Sequence, residues 1–443
     1  MKETKNTGMN QAFRALQHRN FRLFFMGQGV SLIGTWMQSV AVSWLVYRLT
    51  RSPLALGIVG FSGQIPAFIL SPFAGVLSDR QSRHRILIIT QTLAMVQAVT
   101  LTIIAATEIV AVWHIVLLSF FLGVVNAFDM PIRQAFVIEM VEDKKHLANA
   151  IALNSSIFNA SRLVGPALAG IIIAVAGETA CFTINAVSYV ASIMALVSMR
   201  IPYIKPGIPE QNILADMKKG FTYVLNFTPI RDLLIMVSMM SLVAMSFPVL
   251  LPVFATEILH GQSHTYGFLT ASTGVGALLG TIFLSMRKSV LGLGRIIAAS
   301  VFIFGLGLAG LSLSRSVPLS MVLLAIIGFG MIVNIASCNT ILQTIVREDI
   351  RGRVMSFYTM AFMGAAPIGS LITGSLSSRI GAPATVFAGG VFIILAGILF
   401  IGRLPALRRS IRPVYVKLGI LPEVAMGLQT ASALRKPPEY SGG

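Results

Sequence analysis

Twelve membrane-spanning helices arranged as two six-helix bundles, an all-α membrane protein, is the fold class this sequence predicts. Three observations carry it. Apolar stretches of about 20 residues, the length that crosses a bilayer, recur along the chain. Hydrophobic residues reach 55% while charged residues fall to 11%. Basic residues collect in alternate gaps between the stretches. A soluble domain carries about 25% charged residues, so most of these 443 residues must face lipid or another helix.

The first span begins near Phe21, behind Lys2, Lys5, Arg14 and Arg19. Its apolar run outlasts a signal-peptide core and no small-residue cleavage site follows, so it reads as an uncleaved helix. Further spans begin near Leu54, Ile86, Trp113, Ala148 and Ala180, then near Leu233, Tyr266, Arg295, Pro318, Val354 and Pro383. The expected organisation is a cytoplasmic segment 1–20, a first bundle 21–198, a central loop 199–232 rich in Pro and Lys, a second bundle 233–403 and a cytoplasmic tail 404–443. After Arg403 the tail is expected to be partly disordered, with an apolar middle on the membrane surface.

Of the 34 Lys and Arg, Arg48, Arg51, Arg315 and Arg379 alone fall in the opposite set of gaps, and Arg162 alone lies within a span. This asymmetry places both termini in the cytoplasm of a multi-pass protein, expected in the inner (plasma) membrane of a bacterial cell. The formal charge of +18 then reflects topology and attraction to anionic headgroups. No basic and aromatic platform or zinc-finger spacing points to nucleic acid. Cys181 and Cys338 lie in different halves and suggest neither disulfide nor metal site. Nucleotide-binding GxxxxGK[ST], metal-binding HExxH and nucleophile GxSxG elements are missing from the sequence. The reading is therefore not an enzyme and has no cofactor. Energy is expected from an ion gradient or from the substrate's own gradient, the partners being a small molecule and the bilayer, and the protein a monomer.

The two halves carry traces of duplication. QAFVIEMVEDKKHLANAIAL (134–153) resembles QTIVREDIRGRVMSFY (343–358) across a four-residue gap, and Gly165 and Gly170 match Gly369 and Gly374. Parallel six-helix repeats place a transport site near the midplane between them.

GVLSDRQSRHR (75–85), with Gly75, Asp79, Arg80 and Arg83, resembles the signature loop of the major facilitator superfamily, Ser82 standing where Gly is usual. Gly75 permits close helix approach, and Asp79 can accept hydrogen bonds at the start of a neighbouring helix, expected to be the eleventh span. The resemblance implies that Asp129, one turn from Arg133, joins the charge network of Arg83; Asp129 is also the best acidic candidate for a proton carrier. SRLVGPALAG (161–170) resembles an element of the antiporter branch: Gly165, Pro166, Ala169 and Gly170 fit, and Ser161 replaces Gly. Its expected packing partner is the glycine-rich eighth helix, with Gly274, Gly276 and Gly280. ALQHRNFRLFFMGQGVSLIGTWMQ, TRSPLALG, MPIRQAF and YGFLTASTGVGALLG extend the likeness over nearly the whole chain to the branch of enterobactin and macrolide exporters. That resemblance implies proton-driven efflux of bulky, varied compounds.

Arg162 is the most expensive residue in the chain, since a charge deep in a span costs several kcal/mol. Ser155 and Asn159 share its helical face. The three read as a polar cavity wall, with Arg162 either meeting an anionic or catecholate substrate group or pairing with another span. Gln28, Ser31, Thr35 and Gln38 form a second stripe, for a cavity lining or for interhelical hydrogen bonds. Asn334 and Ser337 are the counterparts in the second half, while Met236, Met239, Met240 and Met245 suit either an apolar pocket or ordinary packing. The sequence thus predicts a secondary transporter that exports a bulky amphipathic molecule (siderophore, macrolide or drug-like) by alternating access and proton antiport. A lipid flippase or a membrane receptor on the same fold is the alternative.

Overall fold

The computed structural model describes residues 13–141, 143–200, 222–287 and 289–420, the side chains of residues 71, 72, 74–80, 144 and 349 lying outside the description. Among the described residues, eleven helices are long and apolar enough to cross a bilayer. The first half contains α1 (Arg19–Thr50), α2 (Pro53–Arg80), α3 (Arg83–Ala106), α4 (Val112–Phe136) and α5 (Leu147–Val197). The second contains α6 (Thr228–Ala244), α7 (Ser263–Ser285), α8 (Leu293–Leu313), α9 (Val317–Ile345), α10 (Glu348–Ile380) and α11 (Ala382–Lys417).

The twelfth span is hidden in α5. A straight helix of its 51 residues would run roughly 76 Å at the usual rise per residue, more than twice the bilayer core of about 30 Å. Gly177, with φ 76° and ψ 175°, breaks it in a conformation open essentially to glycine alone. The chain turns back there, as the approach of Cys181 Sγ to Ala169 O at 3.9 Å shows. Two arms, before and after Gly177, are the fifth and sixth spans.

The seventh span is also irregular. Beyond Ala244 it passes through 3-10 turns at Phe247–Leu250 and a single π turn at Phe254–Ile258. Pro248 and Pro252 withhold backbone N–H groups and break the regular ladder. Apolar faces close each half: Ile297, Phe304 and Leu308 of α8 are fully buried with Leu324 and Ile327 of α9 and Ile393 of α11. Met236 and Met240 are equally enclosed in this core, which makes them packing residues.

Two expected boundaries move. α6 starts at Thr228, inside the segment read as central loop, with Pro in its first turn where a missing N–H does no harm. α11 continues to Lys417, past Arg403, because Leu404, Leu407, Ile411 and Tyr415 recur at helical spacing and are buried. The beginning of the expected loose tail is therefore an ordered helix, and residues 421–443 lie outside the description.

The internal repeat is visible in the packing. A Cβ at Gly165 would lie 2.5 Å from Trp36 Cβ on α1, and one at Gly369 only 2.1 Å from Leu242 O on α6. Gly170 meets Gly267 of α7, and Gly374 meets Gly57 of α2. First and seventh spans, and eighth and second, are equivalent in a six-helix repeat, so the matched glycines hold matching positions.

A candidate transport path between the two halves

The halves are sealed to each other at the rim opposite the basic loops. The Tyr47 hydroxyl of α1 donates a hydrogen bond to Glu257 Oε1 in the π turn of the other half. Trp44 stacks on Tyr266 of α7 with ring centroids 6.1 Å apart, and Ser263 Oγ donates to Gly170 O at 3.2 Å. Arg48 braces the same rim within the first half through two bonds to Glu178, at 2.8 and 3.2 Å.

Backbone meets backbone beneath these side chains. A Cβ at Gly170 would lie 2.9 Å from Gly267 Cα, and one at Gly374 would lie 2.7 Å from Pro53 O. Only glycine allows this closeness. Deeper, a Cβ at Gly274 would come within 3.2 Å of Arg162 O. The eighth helix is therefore the partner of SRLVGPALAG, as expected, but through Gly267 and Gly274. Gly276 and Gly280 face α9 instead, against Ala325 and Phe329.

Toward the basic rim the two halves part. Ser155, Asn159, Arg162, Pro166 and Gly170 lie along one face of α5 at spacings of three and four. On that face Gly170 and Pro166 are buried, Arg162 and Asn159 are half-buried, and Ser155 is exposed. α10 repeats the gradient: Gly374, Ser370 and Pro367 are buried, Met363 is half-buried, and Thr359 and Ser356 are exposed. Ser356 and Thr359 bond back to Gly352 O and Met355 O at 3.0 and 3.1 Å, and both faces lose their cover toward the basic rim. The two faces line a vestibule that opens at the basic rim and ends where the glycines meet.

Arg162 stands at the inner limit of this vestibule. Its Nε and Nη2 are enclosed and donate to no partner. Ser155 and Asn159 share its wall, the Asn159 amide bonding back to Ser155 O at 2.9 Å. Other expected cavity residues are packed inside the halves. Gln38, 3% exposed, donates to Gln97 Oε1 at 2.9 Å and accepts from Asn185 Nδ2 at 2.8 Å. Gln28 and Ser31 are buried beside it, and Thr35 bonds back to Ser31 O at 2.9 Å. Asn334 and Ser337 are fully buried, with Asn334 Nδ2 directed at Ile297 O and Ser300 Oγ, 3.4 and 3.3 Å away. Helical periodicity identifies a polar face, but a neighbouring helix can cover such a face as readily as water does; Gln28 Nε2 and Ser337 Oγ are enclosed here without a partner.

A charge network lies near the basic rim. Asp129, 2% exposed, accepts from Thr90 Oγ1 at 2.7 Å, from Gln91 Nε2 at 2.9 Å and from Arg133 on its own helix. Arg83 donates to Glu139 Oε1 at 2.8 Å. Asp129 itself forms an i,i+4 pair with Arg133. Gly75, Asp79 and Arg80 fall where side chains are outside the description, and so does the expected contact of Asp79 with the eleventh span. Within the motif on α5, Ser161 and Ala169 are buried with Gly165 and Pro166.

Tyr47, Glu257, Trp44 and Tyr266 received no role from the sequence, and neither did Gln97 or Asn185. Only their joint placement reveals them. Gly57 and Gly267 each sit a few residues into a span after a polar turn, a weak signal that the repeat strengthens.

The family model described as transmembrane secretion effector matches residues 10–414. The chain is similar to the staphyloferrin A transporter of Staphylococcus aureus (strain NCTC 8325 / PS 47), 24% identical over 86% of this chain and 95% of that protein. It is 25% identical to the multidrug efflux pump Tap of Mycolicibacterium fortuitum, over 86% of this chain and 95% of that protein. In structure it resembles a bacterial homologue of the human lysosomal transporter Spinster in an inward-facing, unoccupied conformation. There the TM-score is 0.67 at 12% identity, covering 89% of this chain and 98% of the other.

Proposed function

Because the chain belongs to the transmembrane secretion effector family of the major facilitator superfamily, and is thereby an efflux transporter rather than an enzyme, we propose that it exports a bulky amphipathic small molecule by alternating access, in exchange for protons. The relatives named for a siderophore and for multiple drugs motivate that substrate class. The observation that carries the reading is the paired gradient on α5 and α10, from glycine contacts at one rim to exposed hydroxyls at the other. Such a path is open on one side only. With the basic loops in the cytoplasm, the vestibule faces the cell interior and receives cargo there, which is the loading state of an exporter. Rocking the halves about the glycine contacts opens the opposite rim.

Proton coupling requires a carboxyl whose protonation differs between the two states. Asp129 is the most enclosed carboxylate among the described residues, 2% exposed against 8% for Glu178 and for Asp232. In this state it accepts three hydrogen bonds. A proton then takes the place of Arg133 when that pair opens toward the basic rim.

Proteoliposomes holding the full chain test this reading. An imposed proton gradient is expected to drive movement of the exported compound, and its collapse by an ionophore to stop it. Asp129→Asn is expected to lose gradient-driven transport while keeping substrate exchange. Loss of both together would assign Asp129 to structure alone. Lipid movement without solute movement would make the protein a flippase, and binding without turnover a receptor.

A further inference from the structure

The geometry points to Arg162 as the counter-ion of the cargo: the molecule this transporter carries presents a carboxylate, catecholate or similar oxyanion, which the guanidinium binds at the inner end of the vestibule. This inference rests on the efflux reading above and adds the charge of the cargo to it.

Arg162 is fifteen residues into α5, roughly 22 Å along the helix. That depth is near the middle of the bilayer, where an arginine is retained only with a purpose. A structural arginine there has a carboxylate, and this one does not. Each Asp or Glu inside a described span is already held: Asp129 by Arg133, Glu178 by Arg48, Glu257 by Tyr47, and Asp232 by Arg403 at 3.6 Å. The remaining acids lie in loops, at the chain ends, or, as with Asp79, at the basic-rim end of a span.

Backbone carbonyls do not substitute for the missing acid. Nε and Nη2 are both enclosed without an acceptor, whereas Nη1 is not enclosed. One nitrogen, Nη1, is therefore reachable from the vestibule, and the other two face protein without an acceptor. Ser161 Oγ on the preceding residue and Thr273 Oγ1, next in sequence to the Gly274 on which the Arg162 carbonyl packs, are likewise enclosed without a partner. Ser155 and Asn159 continue the same face toward the vestibule mouth. Planar guanidinium groups bind planar oxyanions through two parallel N–H bonds, a match that lysine lacks. A bound oxyanion would meet the guanidinium first at Nη1 and, once the side chain turns toward it, at a second N–H, and it would neutralise the charge before the halves close around it.

An anionic phospholipid headgroup carries similar chemistry, so the test separates the two sources. The full chain is reconstituted in nanodiscs of phosphatidylcholine alone, and its melting temperature is followed with citrate, with 2,3-dihydroxybenzoate and with the cation tetraphenylphosphonium. Wild type is expected to be stabilised by at least one of the two anions and not by the cation. Arg162→Met is expected to lose that shift, and Arg162→Lys to need about tenfold more anion. The ligand-free proteins give a readout that needs no probe. Removing an unpaired enclosed charge should leave Arg162→Met as stable as wild type or more so, whereas removing a structural charge should lower its melting temperature.

A clear drop in ligand-free Arg162→Met would overturn the proposal. So would an anion effect that survives in that variant, no effect of either anion on wild type, or stabilisation that requires phosphatidylglycerol in the nanodisc. Export of a neutral drug by wild type alongside any of these results would leave the efflux reading intact. Anion binding without any export would instead overturn efflux and keep the site.

Discussion

At the scale of single residues, the decisive distinction is between polar groups that the protein satisfies and those it leaves open. Asp129 and Arg133 are satisfied by each other, and breaking one side of such a pair costs about 3 to 5 kcal/mol. Arg133→Ala strands a carboxylate that is 2% exposed. Asp129→Asn instead leaves an arginine whose side chain is 20% exposed and whose stem can carry the charge to the basic rim. Arg133→Ala is therefore expected to unfold at a lower temperature than Asp129→Asn, with Asp129→Asn/Arg133→Gln recovering part of the loss in the purified protein. Equal melting of both single variants would remove the ion pair from this account. Gln38 obeys the same logic without charge: Gln38→Leu leaves Gln97 and Asn185 each short of a partner, a loss of roughly 1 to 3 kcal/mol for an unsatisfied group.

Among elements, the glycine contacts decide how far the halves can approach. Gly170 on α5 and Gly374 on α10 meet Gly267 and Gly57 with no room for a side chain, and overpacking of this kind forces backbones apart. Gly267→Leu and Gly57→Leu are each expected to open the sealed rim and shift the population toward the outward-open state. A cysteine at Asn159, on the vestibule side of the glycine contacts, reports this through a membrane-impermeant maleimide added from outside. Labelling should rise several-fold over the parent in both variants, and rise similarly because the contacts are repeat equivalents. Unchanged labelling in both would mean that the seal rests on Tyr47, Glu257 and the aromatic stack.

For the whole molecule, orientation sets the side on which the vestibule opens. The charge asymmetry predicts that Gln262→Cys is labelled from outside the cell and a cysteine at Ser82 from the cytoplasm. The reverse pattern would turn the vestibule outward and make this the releasing state of the exporter rather than its loading state. No other single measurement bears on so much of the functional reading.

The sequence by itself determined the spans, their number and their division into halves. Lipid imposes these through length and hydropathy, which are local properties of each segment. Even the fifth and sixth spans, fused into α5, were separable on the page because no helix of that length fits a bilayer. Gly165 and Gly170 were legible as packing residues, and Arg162 as an anomaly, since glycine spacing and a buried charge are one-dimensional signals.

Which polar face meets water was decided by tertiary structure alone. Gln38 and Asn159 look alike in a helical projection, yet Gln38 is consumed by α3 and the second arm of α5 while Asn159 borders the vestibule. Arg83 found Glu139, and Tyr47 found Glu257 across 210 residues of chain. A hydrogen bond between helices depends on positions that fold in from distant segments, and the periodicity of one helix contains no record of them.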